Sequence, residues 1–288
     1  MDLNSIVALL AVAIVAGTPL LFAAVGEVMA ERSGILNLGV EGMMLVGAVT
    51  GFIVTVTTEN HWLGILAAAA GGAVLAAIHA FICITLKGNQ VVSGLALTIF
   101  GTGTASFLGK NYVGLPLTNR FNPIDIPVLG DIPVLGPILF RHDAMVYLSI
   151  VLALALWYIM FRTSWGLSLR AVGENPAAAD AVGISVSRVR YLATIIGGMM
   201  AGLGGAYLSL AYAPTWQESI TAGRGWIAVA LVIFALWNPL RAILGSYLFG
   251  GVEALTFRIQ TAGFQISPFF LSMLPYLFTI LVLVIVTI

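Results

Sequence analysis

Ionisable side chains are few in this sequence, and several of them lie next to the first two hydrophobic runs. Glu27, Glu31 and Glu41 could each approach membrane depth, with Arg32 as a partner for one of them. A charged group at that depth is costly to bury and is a functional candidate by default. A first helix continuing through Arg32 would be about 42 Å long, which brings Glu27 and Glu31 to the interface and favours a structural role for them. Glu41 and Asn37 are the better candidates for contact with a solute.

Motifs for nucleotide, metal or acyl chemistry are missing from the sequence. Gly109 and Lys110 do not complete a phosphate-binding loop, because Thr104 stands where its first glycine is needed. His79 and Cys83 share one helix face at i, i+4 spacing, but two ligands do not make a metal site, so ordinary packing is favoured. No nucleophile-elbow or zinc-protease motif occurs. We therefore expect no catalytic residue, metal, cofactor or ATP site, and a protein that moves a solute.

The elements that must position these residues are membrane helices. The 288 residues are 60% hydrophobic and 8% charged, and the mean hydropathy is +1.06, whereas soluble domains carry about 25% charged residues. The zero net charge gives no basic patch for nucleic acid. We predict an all-α polytopic protein with about nine crossings of roughly 17–25 residues, of which the fourth and seventh could be broken or re-entrant. The predicted spans are 5–25, 38–57, 63–86, 91–108, 144–161, 191–212, 225–237, 242–257 and 269–288.

Two hydrophilic loops divide this single membrane domain. Loop 110–143 holds five prolines, a density that forbids a spanning helix and indicates an aqueous loop or a surface cap. Loop 162–190 is basic and contains a short predicted helix whose start and stop signals are present in the sequence. Asn175 is the N-cap, Pro176 lies in the first turn and Gly183 ends the helix in a left-handed conformation. So short a helix is marginal alone and needs a docking partner. The alternative is that the loop's arginines only anchor it at anionic headgroups.

Two segments resemble a known family. AERSGILNLGVEGMMLVGA (residues 30–48) resembles the signature after the first core helix of ABC importer permeases of the branched-chain amino acid and simple-sugar class. SLRAVGENPAAADAVGISVSRVR (residues 168–190) is similar to the loop that couples those permeases to their motor. Among these, the chain looks closest to the nucleoside-type permeases. Both motifs are long and ungapped, so the resemblance covers most of the chain.

This resemblance implies a permease subunit, with no ATP site of its own, that forms a translocation pathway beside a second permease. The implied partners are an ATP-binding subunit, an extracytoplasmic substrate-binding lipoprotein, the lipid bilayer and a small-molecule solute. Open alternatives are a sugar, riboflavin or branched-chain amino acid permease, an ion-coupled secondary transporter using Glu41 or Glu253, and a structural membrane partner with no pathway. The residues expected to couple to the ATPase are Arg170, Glu174, Asn175, Pro176, Asp180, Gly183, Arg188 and Arg190.

Candidate pathway residues come from the signature and the fourth span: Asn37, Glu41, Met44, Ser93, Thr98, Phe100 and Thr102. For the hydroxyls, helix packing is an equal alternative, and for Met44 the commoner reading is core filling. The expected location is the bacterial cytoplasmic membrane, with the N-terminus outside and the C-terminus cytoplasmic, a topology that the positive-inside rule supports modestly. The sequence stops within an apolar run, so we also expect a further C-terminal tail in the natural protein.

Overall fold

The computed structural model describes residues 3–117, 121–261 and 268–287, and this part of the chain is mostly helical. Two-residue strands β1 (Ile124–Asp125) and β2 (Arg141–His142) pair antiparallel. The helices are α1 (Leu3–Arg32), α2 (Val40–Thr58), α3 (His61–Ala80), α4 (Gln90–Gly109), α5 (Leu135–Leu139), α6 (Ala144–Arg162), α7 (Ser164–Glu174), α8 (Pro176–Ala181), α9 (Val186–Tyr207), α10 (Arg224–Phe234), α11 (Pro239–Thr261) and α12 (Pro268–Thr287). Short π-helical turns, Phe81–Thr85 and Leu208–Tyr212, extend α3 and α9.

The prediction of an all-α polytopic membrane protein is confirmed. Seven helices in the described residues are long and apolar enough to cross a bilayer: α1, α2, α3, α4, α6, α9 and α11. The expected count of nine is not confirmed. Helix α10 has only 11 residues, or about 16 Å at 1.5 Å per residue. The ninth predicted span falls on α12, and its last residue, Ile288, lies outside the described residues.

The centre of the molecule is formed by α1, α2, α3 and α9, which approach each other at small residues. A Cβ on Gly47 would overlap the backbone of Gly202, and one on Gly72 would overlap the carbonyl of Gly198. Glycine at these four positions therefore lets the helix backbones touch. Lipid provides no hydrophobic force between helices, so close backbone contact through small residues supplies the attraction.

The two hydrophilic loops lie at opposite ends of this helical centre. Helices α1 and α9 are antiparallel, because Gly26 lies against Gly197 whereas Pro19 lies against Gly204. Loop 162–190 therefore meets the Arg32 end of α1. Loop 110–143 lies at the other end, where the Leu117 amide donates to the carbonyl of Pro214, 3.0 Å away.

Loop 110–143 contains short pieces of structure in place of a span. Outside residues 118–120, which are not described, it holds β1, β2 and the five-residue α5. Its last residue, Asp143, caps α6 by accepting from the amides of Met145 and Val146, at 2.9 and 3.2 Å. Burial raises the pKa of the Asp143 carboxyl even though these bonds favour its charged form.

The seventh predicted span is a short helix between irregular segments. The chain leaves α9, runs through irregular residues 213–223 and only then forms α10. Helix α10 is bounded by backbone in the left-handed region, with φ of 47° at Ala222, 50° at Leu236 and 52° at Trp237. These are uncommon angles for residues that carry a side chain, so packing on both sides must hold the ends of α10.

Candidate functional site

The Glu41 carboxylate lies at the N-terminus of α10 and takes up its free donors. Its Oε1 accepts from the Thr221 hydroxyl at 2.5 Å and from the Gly223 amide at 2.9 Å, while Oε2 accepts from the Gly225 amide at 2.6 Å. Glu41 is 7% exposed. We call these four residues the Glu41 cage. A carboxylate at the positive end of a helix is favourable, so this charge has specific stabilising partners inside the apolar body.

Asn37, the other favoured pathway candidate, is fully buried beside Glu27. The Asn37 amide donates to Glu27 Oε1 at 2.9 Å, and its side-chain oxygen accepts from the Gly39 amide at 3.0 Å. Its side-chain nitrogen lies 3.3 Å from the sulfur of Met43. These contacts fix the turn between α1 and α2, and the structural role expected of Glu27 stays a prediction.

Most of the remaining pathway candidates are buried or hydrogen-bonded within the protein, and one is exposed. Met44 is fully buried where α2 meets α9. Ser93 bonds to His79 at 3.0 Å, and Thr98 and Thr102 donate to the carbonyls of Leu38 and Thr98 at 3.0 and 2.8 Å. The ring of Phe100, in contrast, is 57% exposed. The hydroxyls thus bond within the protein, and a pathway role for these residues stays a prediction.

An ion pair that the sequence did not predict lies next to the Glu41 cage. Arg224 bonds to Glu253, and the two side chains are only 13% and 16% exposed. The Tyr212 hydroxyl also donates to Glu253, at 3.2 Å, and the Arg224 guanidinium lies 5.5 Å from the centre of the Tyr212 ring. Residues 224 and 253 come from α10 and α11, so the available signal was only that each is a lone charge in an apolar run.

The short helix predicted in loop 162–190 is present and capped as expected. Asn175 accepts from the Ala178 amide at 3.0 Å, and Pro176 is the first residue of α8. Gly183 has φ of +85°. Ile184 donates to the Ala179 carbonyl, which completes a Schellman motif. Residues 175–183, the coupling tip, are exposed except for Ala179, so this surface is open for docking.

Other predicted coupling residues attach the coupling tip to the membrane body. Arg170 lies on α7, an 11-residue helix that the sequence analysis did not predict, and stacks 5.2 Å from the Phe161 ring. Arg190 donates to the Ser33 carbonyl at 3.1 Å. Arg188 is exposed. The basic residues therefore divide into anchors and exposed charges, a division that their spacing did not reveal.

A chain of contacts joins the coupling loop to α10 through the end of α1. Glu174 lies 3.9 Å from Arg32, and Gly173 packs so closely on the Arg32 carbonyl that a Cβ would overlap it. One residue earlier, Glu31 accepts from the indole nitrogen of Trp237 at 2.6 Å. Glutamates of the signature segment therefore hold both ends of α10, Glu41 at its start and Glu31 just beyond its end.

Two large aromatic residues near the far end of α9 face the interior of the protein. Tyr207 and Trp216 are completely buried. The Tyr207 hydroxyl donates to Asp143 at 3.4 Å, and Trp216 packs against Gly109. Loop 110–143 and residues 213–217 therefore cover this end of α9.

Residues 9–287 match the family described as branched-chain amino acid transport system, permease component. A putative glucose ABC transporter permease of Haloferax volcanii is 48% identical over 257 residues, covering 88% of this chain and 78% of that one. A guanosine ABC transporter permease of Bacillus subtilis is 37% identical, with 98% and 93% covered. A nucleoside ABC transporter permease of Lactococcus lactis is 36% identical, with 97% and 92% covered.

The fold also resembles that of a solved structure, the PsaBC complex of Streptococcus pneumoniae bound to Fab. The TM-score is 0.52 at 16% sequence identity, with 95% of this chain and 89% of the other covered. At that identity the likeness concerns the fold alone.

Proposed function

The chain belongs to the family of permease components of branched-chain amino acid transport systems, and from this premise we propose that it carries nucleosides across the membrane as one permease of an ABC importer. It is an ABC transporter permease and a multi-pass membrane protein, a class that works with ATP-binding and substrate-binding partners. The nucleoside assignment is supported by two relatives, the guanosine and nucleoside permeases, which match this chain over nearly its whole length.

Glucose is the second candidate solute, because the relative with 48% identity is named a putative glucose permease. That match covers less of either chain than the two nucleoside matches do. Glucose and the ribose of a nucleoside both present hydroxyl groups, whereas only the nucleoside adds a flat heterocyclic base. Transport of a solute that carries a heterocyclic base is therefore the property that separates the two candidates.

Energy enters, in this proposal, at the coupling tip. The tip offers an apolar surface that includes Val182, which is 75% exposed, and the exposed charges of Asp180 and Arg188 lie two and six positions away in the sequence. Headgroup anchoring alone requires no capped helix with a protruding apolar residue. We place this end in the cytoplasm, the N-terminus outside and the C-terminus inside, with a non-identical permease beside the chain and a lipoprotein receptor delivering the solute.

The contacts at the end of α1 give the tip a mechanical connection to α10. A displacement of α7 would move the Arg32 carbonyl, which Gly173 touches, and with it Glu31 and the indole of Trp237. The cage at Glu41 fixes the opposite end of α10. In this mechanism α10 is the element that moves, and its left-handed flanks at Ala222 and Leu236 are the hinges.

Reconstituted transport tests the proposed solute. Proteoliposomes holding the permease pair and the ATPase, with receptor outside and ATP inside, should accumulate labelled guanosine and uridine, and glucose should not compete. Accumulation of glucose or isoleucine in place of nucleosides would overturn the nucleoside assignment. Uptake driven by an ion gradient without ATP would overturn the ABC mechanism.

Cross-linking tests the docking surface. Because Cys83 is the only cysteine and is buried, a Cys83→Ser background permits single probes. V182C should cross-link to the ATP-binding subunit. T57C, an exposed residue at the opposite end, is the matched control and should not. Equal cross-linking of both, or of neither, would refute the assignment of the tip.

A further inference from the structure

A cavity of about 360 Å³ lies beside the Glu41 cage, between α1, α10, α11 and α12. Its size falls within the range of about 300–1,000 Å³ that small-molecule sites occupy. The walls are mostly apolar, with aromatic rings from Phe249, Phe257 and Tyr276. Arg224, Glu253 and Gln260 add polar groups. Apolar walls with a few convergent polar groups are the usual composition of a ligand site.

The polar groups of this cavity are held in place by the protein around them. Arg224 bonds to Glu253 and donates to the carbonyls of Ile220 and Thr221, at 3.4 and 3.3 Å. The Tyr276 hydroxyl donates to the Ala222 carbonyl at 2.8 Å. These bonds leave the Arg224 Nε buried with no partner in the described residues. In this conformation the polar edge of the site is therefore held in place by the protein around it.

We propose that this cavity is the subsite of the permease for the base of a nucleoside, with selectivity for bases that carry N–H donors on one edge. The step rests on the proposed function. Every base offers a flat face for contact with the rings of Phe257 and Tyr276. An ionised carboxylate only accepts hydrogen bonds, so Glu253 favours an edge with N–H donors, as guanine has. Gln260 supplies a donor and an acceptor for the remaining groups.

The subsite lies at the start of α10, the helix that is proposed to move. Arg224 is the first residue of α10 and follows Gly223 of the cage, while Tyr276 binds the left-handed residue Ala222. A displacement of the Trp237 end would rotate α10 about the cage and change the orientation of Arg224 relative to α11, which would open or close the polar edge. Coupling and solute contact therefore meet at one short helix.

Maximal transport rates of cavity variants test the subsite. The full transporter is assayed in proteoliposomes with the receptor saturated, so that receptor affinity does not enter, using guanosine and inosine, which lacks the exocyclic amino group. F257A should lower the guanosine rate about tenfold, the scale expected for loss of one stacking partner. The wild type should transport guanosine faster than inosine, because inosine lacks one of the N–H donors that Glu253 would accept, and Q260A should lower both rates. Neither change touches the Arg224–Glu253 pair, whose disruption could prevent folding.

F107A is the matched control, since this ring on α4 is 69% exposed and does not line the cavity. It should leave both rates unchanged. Receptor-stimulated ATP hydrolysis should persist in F257A, because the coupling tip is intact. If the wild type transports nucleosides and F257A and Q260A match it, the subsite is overturned while the function stands. If the wild type transports no nucleoside, the proposed function itself fails.

Discussion

The coupling tip and the Glu41 cage are both built on a short helix whose first N–H groups are capped, but the caps come from different places. At the tip, Asn175 caps a helix that begins at the next residue. At the cage, Glu41 caps a helix that begins at residue 224. The tip is exposed and can be changed without disturbing its neighbours. The cage joins distant elements in the interior, so a change there should alter folding and transport together.

The largest effect is expected at the cage. E41A leaves the Gly223 and Gly225 amides and the Thr221 hydroxyl without their acceptor, and each unsatisfied buried donor costs about 1–3 kcal/mol. Thermal unfolding in detergent should show a clearly lower midpoint, and transport should be lost. E41Q, which keeps one acceptor oxygen, should lose less, and the exposed E218A should lose nothing. Unchanged stability in E41A would remove the distinction between the two regions.

A change at the tip should separate transport from folding. D180W places a bulky ring on an exposed residue of α8, where it obstructs docking but meets no interior neighbour. We expect coupled uptake to fall to background while the unfolding midpoint matches the wild type. T57W, exposed at the opposite end, is the control. Normal uptake in D180W would show that this surface does not face the motor.

An intermediate effect is expected where the two regions communicate. W237F keeps an aromatic side chain but removes the indole N–H that donates to Glu31, and a hydrogen bond to a charged group is worth about 1.5–3 kcal/mol. The number of solute molecules moved per ATP should fall while ATP hydrolysis continues. W226F, on α10 itself, serves as the control. A parallel fall of both rates would instead indicate general damage.

The smallest effect is expected from R32Q. Its partner Glu174 is 77% exposed and 3.9 Å away, and exposed ion pairs contribute about 0–1 kcal/mol. Uptake should stay near the wild-type rate at ordinary salt. A severe loss would mean that this ion pair, and not the Gly173 contact, transmits the motion of the loop.

The capped helix of the coupling tip could be predicted from the sequence alone, because its capping residues lie close together in the chain. The caps at Asn175 and Gly183 depend on residues within a few positions of each other, and apolar run length sets which helices can cross a bilayer. Helix α7 was missed because its apolar and polar residues alternate within a basic loop and no strong stop separates it from α6. The seventh span was expected to continue to residue 237, whereas the helix ends at Phe234.

What the amino-acid order by itself determined is therefore the membrane class, the two hydrophilic loops and the capped tip, all consequences of composition and neighbour effects. Tertiary structure alone decided which partners the buried charges have. Glu41 finds its donors 180 to 184 positions away, Glu31 finds Trp237, and Arg224 finds Glu253 on the next helix. A charge inside an apolar body must be paired, but the pairing depends on how helices pack, and that is set by small-residue contacts distributed over the whole chain.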